Sequence, residues 1–185
     1  MHVDDTPIAG VKCLTPKKFG DARGYFMETW NLQRYREAGI DAQFVQSNVS
    51  KSGQGVLRGL HFQNPRPQGK LVYVLAGSVF DVAVDIRRGS PHFGQWFGTE
   101  LSAENHRQLY IPEGFAHGFC VTSGPALFGY FCTDLYQSEA DHGVAWNDPD
   151  IGIEWPMPTP LVSAKDAENP LLSTLEEELP IYVGH

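Results

Sequence analysis

Between Ser78 and Arg87 the chain alternates: Phe80, Val82, Val84 and Ile86 fall on one side of an extended segment, Asp81 and Asp85 on the other. A period of two sustained this long fits a β-strand with one face on a core and one in water, and no helix presents it. Comparable runs lie at 70–76, 93–101, 107–111, 117–122 and 126–133, with a turn at Gly77 and Gly, Pro, Asn or Ser between the others. The abundance of turn formers, 19 glycines and 13 prolines, belongs with many short strands rather than a helical bundle. The pattern predicts an all-β sandwich or barrel.

The flanking regions are read the same way. Residues 1–20 form an arm with a strand near Val11–Leu14, Asp21-Ala22-Arg23-Gly24 is a turn, and Tyr25–Thr29 is extended again, so the arm runs to about residue 30. Leu32, Tyr35 and Ala38 fall at helical spacing, and Gly39 is placed to end that helix. From Gln43 the period returns to two, with Gln46 and Asn48 on one face and Val45 and Val49 on the other. The tail from Trp155 is broken by prolines, and a short helix is expected from Asn169-Pro170 with Leu171, Leu175 and Leu179 as its stripe. No repeat or linker interrupts the chain, and 185 residues fit one domain spanning 1–185, with a helical tail over about 167–185.

Charge and composition exclude several classes. A formal charge of −8 with no basic stripe argues against nucleic acid as a partner, though not against one small anionic ligand met by locally gathered cations. No apolar run reaches membrane-spanning length, and Met1–Asp5 lacks the basic and apolar parts of a secretory leader, so the expectation is a soluble cytoplasmic protein. Cys13, Cys120 and Cys132 make neither an even framework nor a C-x-x-C pair, and read as buried reduced thiols.

Against that background the stretch Gln54–Gln63 stands out. It carries Arg58 and His61 and leads through the Pro65–Pro67 turn to Lys70, reading as a short hairpin. A strand that buries Val56, Leu57, Leu60 and Phe62 has no packing reason to carry these cationic groups. A lone strand histidine is more often a hydrogen-bonded core group than a catalyst, so a functional reading needs partners elsewhere.

Gly53-x-Gly55-x-x-x-Gly59 enters a strand instead of opening a helix, which removes a dinucleotide loop; no phosphate loop and no G-x-S-x-G elbow occur. Pro112-Glu113-Gly114-Phe115-Ala116-His117 resembles the second motif of the cupin superfamily, P-x-G-x-x-H. Metal-binding cupins carry H-x-H and a carboxylate in their first motif; here the matching strand reads His61-Phe62-Gln63. Two histidines are a poor shell for a transition metal, so no metal is expected. His117 reads equally as a residue closing a strand corner or as a substrate contact. Tyr110, Tyr130 and Tyr136 sit on or beside late strands. Wall tyrosines usually serve the core, but a phenol facing an imidazole across a cavity is a competent acid–base pair.

A longer resemblance then becomes visible. Asp21-x-Arg23-Gly24-x-Phe26, Gln46-x-Asn48-x-Ser50-x-Ser52, Val56 through Gln63, Lys70-Leu71-Val72 and Asp81-Val82-x-Val84-Asp85-Ile86-Arg87 resemble the dTDP-4-dehydrorhamnose 3,5-epimerase family. So do Gly89-Ser90-Pro91-x-Phe93-Gly94, Pro112 through Phe119 and Trp146-Asn147-Asp148-Pro149, all in order between about residues 8 and 166. The resemblance implies a metal-free cupin jelly roll (a double-stranded β-helix) with short peripheral helices, usually a homodimer, acting on a dTDP-4-keto-6-deoxy sugar without a cofactor.

It also implies roles. His61 would be the base, Asp166 the carboxylate that orients it, Tyr130 the acid on the opposite face, and Lys70 the cation on the enolate oxygen. Arg23 and Arg58 would meet the diphosphate. Gln46, Ser47 and Asn48 would contact nucleotide or sugar, with Ser47 where the family often has aspartate. Phe26 and Glu28 would help hold the thymidine, and with Arg23 would serve the neighbouring subunit's site. His117, Tyr136 and Lys165 occupy contact positions, and Asp141 stands in for a family glutamate one methylene longer. Arg58 and His61 have opposite parity on a regular strand, so both entering one cavity requires a bulge at Gly59. An enzyme that epimerises only C3 or only C5 would share this acid and base. A non-catalytic or metal-binding cupin that senses a small ligand is the alternative from another class.

Overall fold

The computed structural model describes residues 1–184. In chain order the elements are β1 (His2–Asp5), β2 (Lys12–Thr15), β3 (Lys18–Asp21), β4 (Gly24–Met27), α1 (Leu32–Glu37), β5 (Gln46–Ser52), β6 (Leu57–Gln63), β7 (Lys70–Asp85), β8 (Trp96–Ser102), β9 (Gln108–Ile111), β10 (Phe115–Cys132), β11 (Asp141–Gly143) and α2 (Ala164–Ala167). The architecture is a cupin-type jelly roll. Two long antiparallel strands, β7 and β10, run side by side through both layers. Their Val79–Asp85 and Phe115–Val121 halves join β8, β6 and β11 in one layer. The other halves join β5 on one side and β9, β2 and β1 on the other.

These long strands correct the sequence reading, which placed turns inside both of them. Gly77 does not end a strand; it bends one. Its φ is +73°, and a Cβ there would lie 2.5 Å from the Ser123 carbonyl oxygen, so only glycine fits where β10 crosses behind it. The register of β10 against β7 shifts between Val121 and Phe128, around Gly124-Pro125, and this lets both strands turn the corner together. A second correction concerns the stretch from Gln54 to Lys70. β6 does not pair with β7; both lie against β10, so residues 64–69 cross between layers and are not a hairpin turn.

Three apolar clusters hold the fold. The space between the layers is filled by Val72, Val74, Val79, Leu109, Phe119 and Phe128 with their neighbours. The opposite side of the first layer, through Leu60, Phe62, Val82, Val84 and Ile86, is covered by the C-terminal segment through Ile151, Leu172, Leu175 and Leu179. Tyr35 of α1 packs with Leu14, Ile40 and Leu71 on the second layer, its hydroxyl donating to Gln108 Oε1 at 2.5 Å. The tail covers the face that carries Val82, Val84 and Ile86, and Asp81 and Asp85 lie on the other, inward face with Val79 and Ala83; they are not a solvated edge of a half-buried strand, and both are fully buried. Each is paired, Asp81 with His117, Asp85 with Arg87 and Ser90.

The tail is also less helical than its leucines suggest. Beyond α2 the described residues hold only one 3-10 turn, Leu172–Thr174; Leu171 is exposed, and Leu172 takes the inward place beside Leu175 and Leu179. The three cysteines are buried and free, as read. Among the described residues no helix is long and apolar enough to cross a membrane.

Gly77→Ala forces a side chain into a left-handed backbone position already closed by β10. We expect it to lower unfolding stability by at least about 2 kcal/mol, read as a reduced urea midpoint at unchanged m-value.

Candidate active site

The site begins with an irregularity in β6. His61 pairs with His117 and Arg58 with Phe119, so Gly59 and Leu60 together face the single residue Gly118. This is the bulge that the parity of Arg58 and His61 demanded. It depends on glycine on both strands: Gly59 has φ +123° and a Cβ there would sit 2.6 Å from Gly118 Cα, while one on Gly118 would sit 2.8 Å from the Arg58 carbonyl oxygen. Leu60 turns into the outer core, and Arg58 and His61 reach the same cleft of about 470 Å³.

Asp166 closes the back of this cleft. Ser163 caps α2, its Oγ accepting from the Asp166 amide at 3.0 Å, which fixes the carboxylate at the base of a single helical turn. His61 Nε2 lies 2.7 Å from Asp166 Oδ1, and the Gly59 amide donates to Oδ2 at 3.3 Å. The carboxylate is 5% exposed while the imidazole is 34% exposed by its side chain, so the pair is buried on one side and open on the other. Burial alone would raise the Asp166 carboxyl; the hydrogen bonds and charge of His61, with help from Gly59 and Ser163, outweigh it and hold the group below its ordinary value. An ionised Asp166 accepting from Nε2–H leaves Nδ1 as the lone-pair nitrogen of His61.

A second imidazole–carboxylate pair lies deeper. His117 Nε2 is 3.0 and 3.1 Å from the oxygens of Asp81. Burial pushes His117 down and Asp81 up, each opposed by the other's charge, and Lys70 and His61 also disfavour a charged His117. Lys70 starts β7 opposite Cys132. Burial lowers its pKa against the pull of Cys132, Asp141 and Asp81. Tyr130 lies opposite Asn48 on β5. Burial raises its phenol, Cys132 and Asp141 add to this, and Arg58 opposes it. The phenol therefore keeps its proton at neutral pH.

The wall and rim follow from β5 and the loop after β10. Gln46 and Asn48 lie with Ser50 on the half-buried face of β5, and Ser47 and Val49 alternate to the exposed side. Gln46 Nε2 donates to Asn48 Oδ1 at 3.1 Å. Arg58 Nε donates to Ser52 Oγ at 2.9 Å. At the rim, Asp141 Oδ2 accepts from Lys165 Nζ at 2.5 Å and from the Tyr136 hydroxyl at 3.2 Å.

Three expected contacts stand apart. Arg23 is bound to Asp21 on the exposed β3–β4 hairpin, where Phe26 is 71% exposed. Glu28 accepts from Arg34 at 2.9 Å and from Asn31 at 3.3 Å, beside α1. None of these side chains hydrogen-bonds to a residue of the cleft within this chain. Among the described residues no group of three His, Cys, Asp or Glu side chains could hold a metal ion. Gln63, at the position of the second cupin histidine, spends its amide on backbone groups.

The sequence model of the dTDP-4-dehydrorhamnose 3,5-epimerase family matches residues 5–174. The chain belongs to this family. An enzyme of that name from Shigella flexneri is 55% identical over 168 residues, covering 90% of this chain and 93% of the relative. A longer namesake from Neisseria gonorrhoeae, also 55% identical, is matched over 51% of its length. Among solved structures, dTDP-6-deoxy-D-glucose-3,5-epimerase from Legionella pneumophila in complex with dTDP-4-keto-L-rhamnose is 51% identical, with a TM-score of 0.96 and 99% of both chains covered. The 3'-monoepimerase ChmJ from Streptomyces bikiniensis in complex with dTDP-quinovose is 35% identical, with a TM-score of 0.89 over 96% of this chain and 92% of that one.

Some members of this epimerase-family cavity were not singled out from sequence. Asp81 looked like a solvent-facing strand carboxylate and instead holds His117. Ser52, which holds Arg58, gave no signal of its own beyond the β5 motif. Ser163 did give one: Ser163-x-x-Asp166 is a helix-capping pattern.

The lowered Asp166 pKa has a defined consequence. A depressed carboxyl contributes stability that is complete above its unfolded pKa, about 3.9, and is lost as pH falls through the lower native value. Asp166→Asn should therefore be less stable than the parent at neutral pH, and the difference should shrink below about pH 4. Urea unfolding of both proteins from pH 7 to pH 3 measures it.

Proposed function

We propose that the protein epimerises dTDP-4-dehydro-6-deoxy-D-glucose at C3 and C5 to give dTDP-4-dehydro-L-rhamnose. The observation that carries this is the His61–Asp166 pair opening into a cleft of the same barrel whose walls bear Lys70 and Tyr130. A C–H bond beside a ketone is acidic enough for an imidazole once the enolate is stabilised. His61 Nδ1 would take the proton from C5 or C3, and Asp166 would balance the imidazolium so formed. Lys70, its proton loosened by burial, would donate to the enolate oxygen, an interaction that strengthens as charge moves onto oxygen. Tyr130 would return a proton to the opposite face, inverting the carbon, and its phenolate would be tolerated beside Arg58.

Arg58 supports the diphosphate as the cation at the cleft mouth, with Lys165 at the rim. Gln46, Asn48 and the half-exposed Tyr136 ring give the sugar and the nucleotide amide and aromatic surfaces. His117, locked to Asp81, would present its ring to the sugar beneath. Arg23, Phe26 and Glu28 fit a homodimer in which the β3–β4 hairpin of one subunit reaches the cleft of the other; Phe19, Tyr25 and Phe26 are 52%, 57% and 71% exposed on it. The reading also places this single domain in the cytoplasm, consistent with buried free thiols.

Proton NMR of the keto-sugar nucleotide in D2O tests the reaction. Deuterium should enter both C3 and C5, and His61→Ala should slow both exchanges by about 10²–10⁴-fold. Tyr130→Phe should lose epimerised product more severely than exchange. Exchange at one carbon only would assign a single epimerase, and no exchange at either by the folded protein would contradict the proposal.

A further inference from the structure

Gln63 occupies the place where a metal-binding cupin has its second histidine, and the reaction above leaves it no role. It lies two residues after His61 on the regular, unbulged end of β6, opposite Asp141 of β11, so it shares the inward face with His61 while Phe62 packs outward. Its side chain is only 5% exposed, and the amide is engaged at both ends. Nε2 donates to the Arg66 carbonyl at 2.6 Å and to the Leu135 carbonyl at 3.2 Å, and Oε1 accepts from the Gln137 amide at 2.9 Å.

The last two bonds bracket Tyr136. One amide grips the carbonyl before it and the N–H after it, as a neighbouring strand would, although residues 134–137 belong to no strand. The N–H of Tyr136 itself donates to Gln46 Oε1 at 2.9 Å. The backbone around Tyr136, a residue 55% exposed, is thus held by three hydrogen bonds from two side chains. Arg66, whose carbonyl Gln63 also holds, pairs with Asp134 at the start of the same loop, at 2.7 and 2.9 Å.

We propose that Gln63 is a positioning residue: it replaces a metal ligand with a clamp that fixes the Tyr136 loop in its nucleotide-binding shape. The proposal rests on the cleft being a dTDP-sugar site. Fixing the loop in advance removes the ordering cost that an exposed aromatic on a free loop would impose on binding, so the benefit appears in affinity rather than in the proton transfers. Methionine at this position keeps the volume and lacks every one of these hydrogen bonds.

The test is titration calorimetry with dTDP, together with steady-state kinetics on the keto-sugar nucleotide. The proteins are the parent, Gln63→Met, Gln63→Ala and Tyr136→Ala, and each Gln63 variant combined with Tyr136→Ala. Each Gln63 variant should weaken dTDP binding and raise KM tenfold or more while kcat stays within threefold. Added to Tyr136→Ala it should cost little more, because the clamp acts through that ring; a loosening of the fold at large would add in full. Unchanged affinity, additive losses, a fall confined to kcat, or failure of both Gln63 variants to fold would each overturn the proposal. If the parent itself does not bind dTDP, the functional reading falls as well, which is a separate and recognisable result.

Discussion

Everything at the cleft depends on one close approach, that of Gly59 to Gly118. A regular strand sends Arg58 and His61 to opposite faces, one into the outer core and one into the barrel. With two residues of β6 set against one of β10, both enter the same space, and the backbone contact that permits it leaves no room for a Cβ on either side. The same irregularity turns the Gly59 amide toward Asp166, so the bulge that aims His61 also contributes a hydrogen bond to the carboxylate behind it. Geometry and charge are set by one local feature.

The long strands explain how so many polar groups can be buried nearby. Because β7 and β10 pass through both layers, each supplies polar residues from both of its halves. Lys70 and Asp81 come from one strand, His117 and Tyr130 from the other. An isolated buried cation or carboxylate would be very costly. Here Asp81 meets His117, and Lys70 lies within the field of Asp81 and Asp141, so the cluster is mutually compensated. Burial nevertheless outweighs the pull of these carboxylates and leaves the Lys70 proton more loosely held than in water.

Much of this was legible in the chain, for identifiable reasons. Short alternating runs and turn residues announced a β sandwich or barrel, which the family resemblance narrowed to a jelly roll, and the parity conflict between Arg58 and His61 announced the bulge. Length-wise continuity was not legible: Gly77 and Gly124-Pro125 carry the same signal whether they end strands or bend them, and only the pairing of β7 with β10 decides. Asp81 and Asp85 misled because alternation reports two faces without saying whether the second is wet. The leucines of the tail misled because Leu172, Leu175 and Leu179 reach the core from a 3-10 turn and loops, which share helical spacing over a few residues. The hairpin residues Arg23 and Phe26 follow a family motif, yet a single chain gives them nothing in the cleft to touch.

The central claim is that one cleft, built on the Gly59 bulge, receives a sugar nucleotide. A crystal structure of the protein with dTDP tests it most directly. The account predicts the diphosphate against Arg58, the nucleotide beside Tyr136, open space left for the sugar over His61, and the β3–β4 hairpin of a second subunit closing on the base. A nucleotide bound elsewhere, or bound in this cleft with its diphosphate away from Arg58 and His61 covered by the base, would contradict it.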